Sequence, residues 1–173
     1  MRAIASALMP RIRGLIAQPD GERIVTRIGN FDDSATVLEF VCSQALDSLA
    51  RLGTSCPDHF LRTKIRPLVL DFDPETGNPE ALAAQLEPAI TQYRADYAAY
   101  YERCKRPNSP AMRDPNAVVY LVPGIGMITF AADKSTARIA GEFYTNAINV
   151  MRGASSVSAY CGLPEQEAFD IEY

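Results

Sequence analysis

Apolar residues recur along this chain with two periods, one near 3.6 and one near 2, and the elements follow from where each holds. Ile4, Leu8, Ile12, Leu15 and Ile16 share one helical face. A helix over residues 4–16 is predicted, with Pro10 expected to kink or interrupt it. Pro19-Asp20-Gly21 reads as a turn. Ile24, Thr26 and Ile28 alternate with Arg23, Val25 and Arg27, which predicts a strand over 23–28. Asp32, Asp33 or Ser34 can cap a helix carrying Val37, Leu38, Val41, Leu46 and Leu49 that stops at Gly53. Residues 54–66 read as a polar loop and Pro67–Phe72 as a short apolar strand. Asn78-Pro79-Glu80 is a strong helix start, with a cap, a proline at the first position and an acid in the first turn. That helix is expected to reach about Cys104, with a disturbance at Pro88. A Pro/Asn/Ser loop, 106–115, precedes a buried-type strand over 117–122. Pro123-Gly124-Ile125-Gly126 turns the chain into a second extended run, 127–131. Asp133 or Ser135 then caps a helix to about Arg152, and the tail from Leu163 is acidic.

Strands alternating with long helices predict an α/β fold over residues 1–173, with a mainly parallel sheet covered by helices on both faces. A length of 173 residues suffices to bury a core. Hydrophobic residues at 47% and charged residues at 22% exclude a disordered or collagen-like chain. A net charge of −4 argues against nucleic acid as partner, since the basic stretches Arg62-Lys64-Arg66 and Arg103-Lys105-Arg106 are short and flanked by acids. No apolar run approaches a membrane span. Pro10, Arg11 and Arg13 break the apolar stretch that a secretory signal needs, so a cytoplasmic location is expected. Cys42, Cys56, Cys104 and Cys161 form no CxxC pair and are expected to be reduced thiols packed as small hydrophobes.

Four features carry candidate chemistry. Gly124 and Gly126 come directly after a strand, as in a dinucleotide loop. The third glycine position is Thr129, however, and residues 127–130 read as strand, so a tight strand-turn-strand with positive φ is the expectation. His59, the only histidine, is a candidate general base with Cys56 or Ser55 nearby, and one histidine cannot build a three-histidine zinc site. Arg62, Lys64 and Arg66 would share one face of an extended segment and could bind phosphate. Tyr93, Tyr97, Tyr100 and Tyr101 lie at helical spacing, suited either to packing on the sheet or to an interface.

Three stretches together resemble a known family. They are Cys56-Pro-Asp-His-Phe-Leu-Arg-Thr-Lys64, Val119-Tyr-Leu-Val-Pro-Gly-Ile-Gly-Met127 and Ala140-Gly-Glu-Phe-Tyr-Thr-Asn-Ala-Ile-Asn-Val-Met-Arg-Gly153, with the closing Phe169-Asp-Ile-Glu-Tyr173. The combination resembles the middle of bifunctional rhamnulose-1-phosphate aldolase/short-chain dehydrogenase proteins. The resemblance implies a single domain, residues 1–173, lying between an N-terminal zinc-dependent class II aldolase module and a C-terminal NAD-dependent dehydrogenase module. Zinc and NAD would belong to those modules and no cofactor to this chain. Gly126-Met-Ile-Thr-Phe130 is also similar to the His-Gly-Leu-x-Thr-Trp/Phe stretch of class II aldolases, and in that register the metal histidine falls on Ile125. The fold implied is a degenerate class II aldolase/adducin-like domain, with a Rossmann-like one as the other α/β option.

The function expected is a non-catalytic connecting and assembly domain, with the flanking modules as partners and a homo-oligomer compatible with the role. The alternative is a sugar-phosphate-binding domain completing a neighbour's site, with Asp58, His59, Arg62, Lys64, Gly124 and Gly126 as ligand-binding candidates. An independent enzyme based on His59 ranks last, because no nucleophile or metal set accompanies that residue.

Overall fold

The helix announced by Asn78-Pro79-Glu80 is the longest element of the chain. In the computed structural model, which describes residues 1–173, the Asn78 side chain accepts a hydrogen bond from Glu80 N at 2.8 Å. In chain order the elements are α1 (Arg2–Leu15), β1 (Gln18–Asp20), β2 (Arg23–Val25), β3 (Ile28–Asp32), α2 (Ala35–Val41), α3 (Leu46–Leu52), α4 (Pro57–Thr63), β4 (Leu68–Val69), α5 (Pro79–Cys104), β5 (Val119–Val122), β6 (Gly126–Ala131), α6 (Lys134–Val157) and α7 (Glu165–Glu172). Pro10 and Pro88 lie inside α1 and α5 without ending them. Both face solvent, where carbonyls freed by the missing N–H can turn to water.

The class is α/β with helices on both faces of the sheet, but the sheet is mixed rather than mainly parallel. Its order is β3-β6-β5-β4. β3 and β6 are antiparallel, β5 and β6 are antiparallel, and only β4 and β5 run parallel. The cause is the turn at Pro123–Gly126, which makes β5 and β6 a hairpin and forces their opposition. This order also removes the Rossmann-like option, whose strands are mostly parallel. β1 and β2 form a separate antiparallel ribbon.

Burial follows the strand period. Tyr120, Val122, Ile128 and Phe130 face α1 and α5, meeting Leu8, Ile12, Leu82, Leu86 and Ile90. Val119, Leu121 and Met127 face the other way, toward Val37, Phe40 and Val41 of α2 and Tyr144, Ile148 and Met151 of α6. Covered on both faces, β5 reads as an unbroken apolar run. Each such side chain contributes about 1.5–3 kcal/mol by leaving water. A third cluster joins α4, α5 and α7 through Phe60, Tyr97, Tyr100, Tyr101 and Phe169. Tyr97, Tyr100 and Tyr101 therefore pack on α7, while Tyr93 borders both this cluster and the sheet layer.

Several boundaries differ from expectation. The helix expected over 35–53 is two short ones, the strand over 23–28 is divided between β2 and β3, and α6 runs past Gly153 to Val157. Residues 57–63 of the expected loop are helix α4, and the acidic tail is helix α7. Ion pairs Arg103–Glu165 at 2.7 Å and Arg106–Asp170 at 2.5 Å tie α7 to the end of α5 and to the residues just beyond it. Of the cysteines only Cys104 is buried, while Cys42 and Cys161 are exposed.

The hairpin turn is built as expected. Gly124 has φ 69° and Gly126 φ 134°, and Ile125 N donates to Val122 O at 3.1 Å. A Cβ on Gly126 would lie 2.5 Å from Asp32 O. Gly126→Ala is expected to lose about 2–3 kcal/mol, combining strained φ with that clash, measured by urea unfolding.

Candidate functional site

The candidate residues separate into two groups at opposite ends of the β5–β6 hairpin. Gly124 and Gly126 form its turn. Arg62 and Lys64 lie at the other end, against Val118 and Ala131. The five steps from Gly126 to Ala131 amount to about 16 Å of strand, so the turn and the basic pair cannot share one small ligand.

At the basic end is a cavity of about 240 Å³. Its lining carries four cations, Arg27, Arg62, Lys64 and Arg113, and one acid, Asp114. Phe130, Ala117 and Val118 supply apolar wall, and Ala132 and Thr136 bring in the start of α6. The expected extended face of Arg62, Lys64 and Arg66 does not exist. Arg62 lies in the last turn of α4 and Lys64 follows as its C-cap with positive φ, while Arg66 lines a different cavity. Asp58 and His59 are not part of the basic cavity. Arg27, Arg113 and Asn116 are, and the sequence offered no signal for them, because they come from distant segments.

Asp114 organises the cavity. Its carboxylate accepts from Arg27 Nη2 at 2.7 Å, Gln18 Nε2 at 3.0 Å, and Asn116 N and Nδ2 at 2.9 and 2.8 Å. Burial pushes this carboxyl up, but the Arg27 and Asn116 hydrogen bonds outweigh burial and hold it below the ordinary value. Arg94 fixes Asn116 in turn, donating to its Oδ1 at 2.8 Å.

Lys64 is 9% exposed, and its Nζ donates to the Asp114 carbonyl and lies 3.6 Å from the Tyr97 ring centroid. Burial lowers its pKa to about 8, opposed by the charges of Glu172 and Asp114. Behind Tyr97, its hydroxyl donates to Glu172 Oε1 at 2.5 Å and meets the Tyr173 hydroxyl at 2.6 Å. Tyr100 donates to Glu172 Oε2 at 3.3 Å. Arg113 N donates to the Tyr173 hydroxyl at 3.1 Å, closing the loop back to the cavity.

His59 is 2% exposed, packed edge-on against Phe143 with ring centroids 5.3 Å apart, and its Nδ1 has no partner. Burial lowers its pKa, and the surroundings are those of a core residue. A larger cavity of about 800 Å³ lies between α2–α3, the end of β4 and Pro123. Its charges, Arg51 and Arg66 against Asp47 and Asp71, balance.

The residues fit neither zinc nor a dinucleotide. Ile125 is fully buried in the α1/α5 core layer, and no three His, Cys, Asp or Glu residues converge. Gly124-Ile125-Gly126 leads into β6, so the turn does not open a helix whose N-terminus could receive a pyrophosphate. No helix is long and apolar enough to cross a membrane.

The mixed sheet between two helical layers defines an α/β domain. A family described as "Aldolase class II, second domain" matches residues 3–173, and the chain belongs to it. The chain is similar to the uncharacterized oxidoreductase YuxG of Bacillus subtilis (strain 168), at 32% identity over 172 residues, which are 99% of this chain and 24% of that protein. It thus spans about a quarter of that curated relative's length. Among solved structures it is similar to YgbL of Klebsiella pneumoniae, a candidate aldolase/epimerase/decarboxylase, with a TM-score of 0.61 at 10% identity over 97% of this chain and 64% of that one. YgbL of Escherichia coli gives 0.55 at 12% identity over 99% and 63%. At these identities the likeness to solved structures concerns fold.

Proposed function

We propose that this chain is a non-catalytic domain that connects and positions the aldolase and dehydrogenase modules of a bifunctional enzyme. That enzyme would cleave L-rhamnulose 1-phosphate to dihydroxyacetone phosphate and L-lactaldehyde and oxidise the aldehyde with NAD. The observation that carries the reading is Ile125, an apolar core residue at the position that the resemblance to the class II aldolase stretch would give to a metal histidine. Membership of the class II aldolase family and the oxidoreductase name of a much longer relative support the two-module context. This chain contributes a rigid block, with the hairpin turn closed by glycine geometry and α7 locked onto α5.

The test is aldol cleavage of rhamnulose 1-phosphate by the chain alone, with and without zinc. No turnover above a metal-only blank is expected in either condition, and no zinc should remain after gel filtration. Zinc-dependent cleavage that disappears on chelation would overturn the reading.

A further inference from the structure

The cavity of about 800 Å³ lies beside a free edge of the sheet. β4 is the edge strand there and pairs on one side only, parallel to β5, with Leu68 opposite Tyr120 and Val69 opposite Leu121. Leu70 N donates to Leu121 O at 2.9 Å, so the backbone of Leu70 is turned toward β5. Successive residues of a strand turn their backbone groups to opposite sides. The N–H and C=O of Val69 therefore point away from β5, where no other strand pairs with them, and Val69 lines the cavity. An unpaired edge of this kind is a template for another strand. Pro67, just before β4, has no N–H to leave unpaired, which suits an edge position.

The rest of the groove says what could enter it. Val41 of α2 and Leu46 and Ala50 of α3 supply an apolar helical wall. Space between a sheet edge and such a wall suits one extended segment, and it excludes the edge of a second sheet, whose own layers would meet α3. The charges of the rim are ordered. Arg51 and Arg66 line both this cavity and the next one toward α5, whereas Asp47 and Asp71 line this one alone. Cations thus mark one end and acids the other, and none of the four is in an ion pair within the chain. The steps from Arg66 to Asp71 amount to about 16 Å of strand, so a segment of about six residues bridges the two ends.

We propose that this groove takes up an extended peptide segment of a partner protein, which adds to β4 as a further strand through the Val69 backbone, lays apolar side chains on Val41, Leu46 and Ala50, and sets an acidic residue at Arg51 and Arg66 and a basic one at Asp47 and Asp71. Main-chain hydrogen bonds supply affinity in this mode of recognition, and side-chain contacts supply selectivity. Antiparallel pairing is the more stable per residue. The basic residue therefore lies toward the N-terminus of the segment and the acidic one toward its C-terminus. This site is independent of the connecting role, and either can fail without the other.

The experiment is calorimetric titration of the chain with two heptapeptides blocked at both ends, Lys-Val-Thr-Val-Thr-Val-Glu and its reverse, Glu-Val-Thr-Val-Thr-Val-Lys. The first is expected to bind, and the second to bind about tenfold more weakly, the scale for exposed charge pairs lost at both ends. Arg51→Glu/Arg66→Glu, at exposed side chains, should erase that preference. Amide exchange at Val69 should slow on binding, while that at Leu70, already bonded to Leu121, should change little. Association through side chains alone would not separate those two amides. Val69→Pro deletes an N–H that β5 does not use and should abolish binding while the unfolding transition is retained. No heat with either peptide at millimolar concentration, or equal or inverted affinities for the two, would overturn the proposal. So would unchanged exchange at Val69 with peptide bound, or undiminished binding by a folded Val69→Pro variant.

Discussion

Ile125→His is expected to cost about 3–5 kcal/mol and to yield no zinc affinity. Ile125 is fully buried among apolar residues that include Tyr120, Val122 and Ile128. An imidazole there leaves ring nitrogens unpartnered, at about 1–3 kcal/mol, and misfits a close-packed layer, at about 1–3 kcal/mol more. The melting temperature should fall by about 10 °C on the usual scale for a chain of this size. Zinc should not restore it, because no group of three His, Cys, Asp or Glu residues that could hold a metal is present. Thermal unfolding of the variant with and without zinc is the measurement. A zinc-induced rise would show that the turn can still gather ligands, and that its aldolase-like register conceals more than one lost residue.

Glu172→Ala is expected to loosen α7 by about 3–5 kcal/mol, the usual cost of breaking a buried charge network from one side. Glu172 is 2% exposed and accepts from Tyr97 and Tyr100. Its removal strands those hydroxyls and takes away a charge that favours the Lys64 ammonium. Hydrogen exchange along 165–172 should rise more than along β5 or β6, since the loss is local. Equal acceleration in both regions would mean that α7 unfolds only with the whole chain.

The same network sets a pH dependence of two opposite signs. Burial raises the Glu172 carboxyl above its ordinary 4.5, against the pull of the Tyr97 hydrogen bond and the Lys64 charge. Its contribution is full at low pH and is lost as pH climbs from about 4.5 through the raised folded value. Lys64 releases its proton at about 8 in the folded chain and 10.5 in the unfolded one. Its contribution therefore grows as pH rises across that interval. Glu172→Gln should flatten the acid limb of a stability profile, and Lys64→Met the alkaline limb.

The sequence revealed what depends on neighbours in the chain. The Asn78 and Asp133 caps, the apolar run of β5 and the glycine turn all act within a few residues, and all are present. Strand direction was not legible, because it depends on which strand lies beside which, and β3 reaches β6 across nearly a hundred residues. α4, with seven residues, is too short to display a period. α7 carries few apolar residues and is held by the α5 tyrosines rather than by its own pattern. Arg62 and Lys64 drew notice as local basic residues. Arg27, Arg113 and Asn116 did not, since only folding brings them alongside. His59 drew notice by rarity, which says nothing about its packing against Phe143.

The seam between α5 and α7 also determines how this protein is seen by light. The chain has no tryptophan and eight tyrosines. Five of them, Tyr93, Tyr97, Tyr100, Tyr101 and Tyr173, lie in or against the seam cluster. Ultraviolet emission and near-ultraviolet dichroism will therefore be weighted toward the docking of the last helix, and a change in either signal reports on that seam before it reports on the sheet.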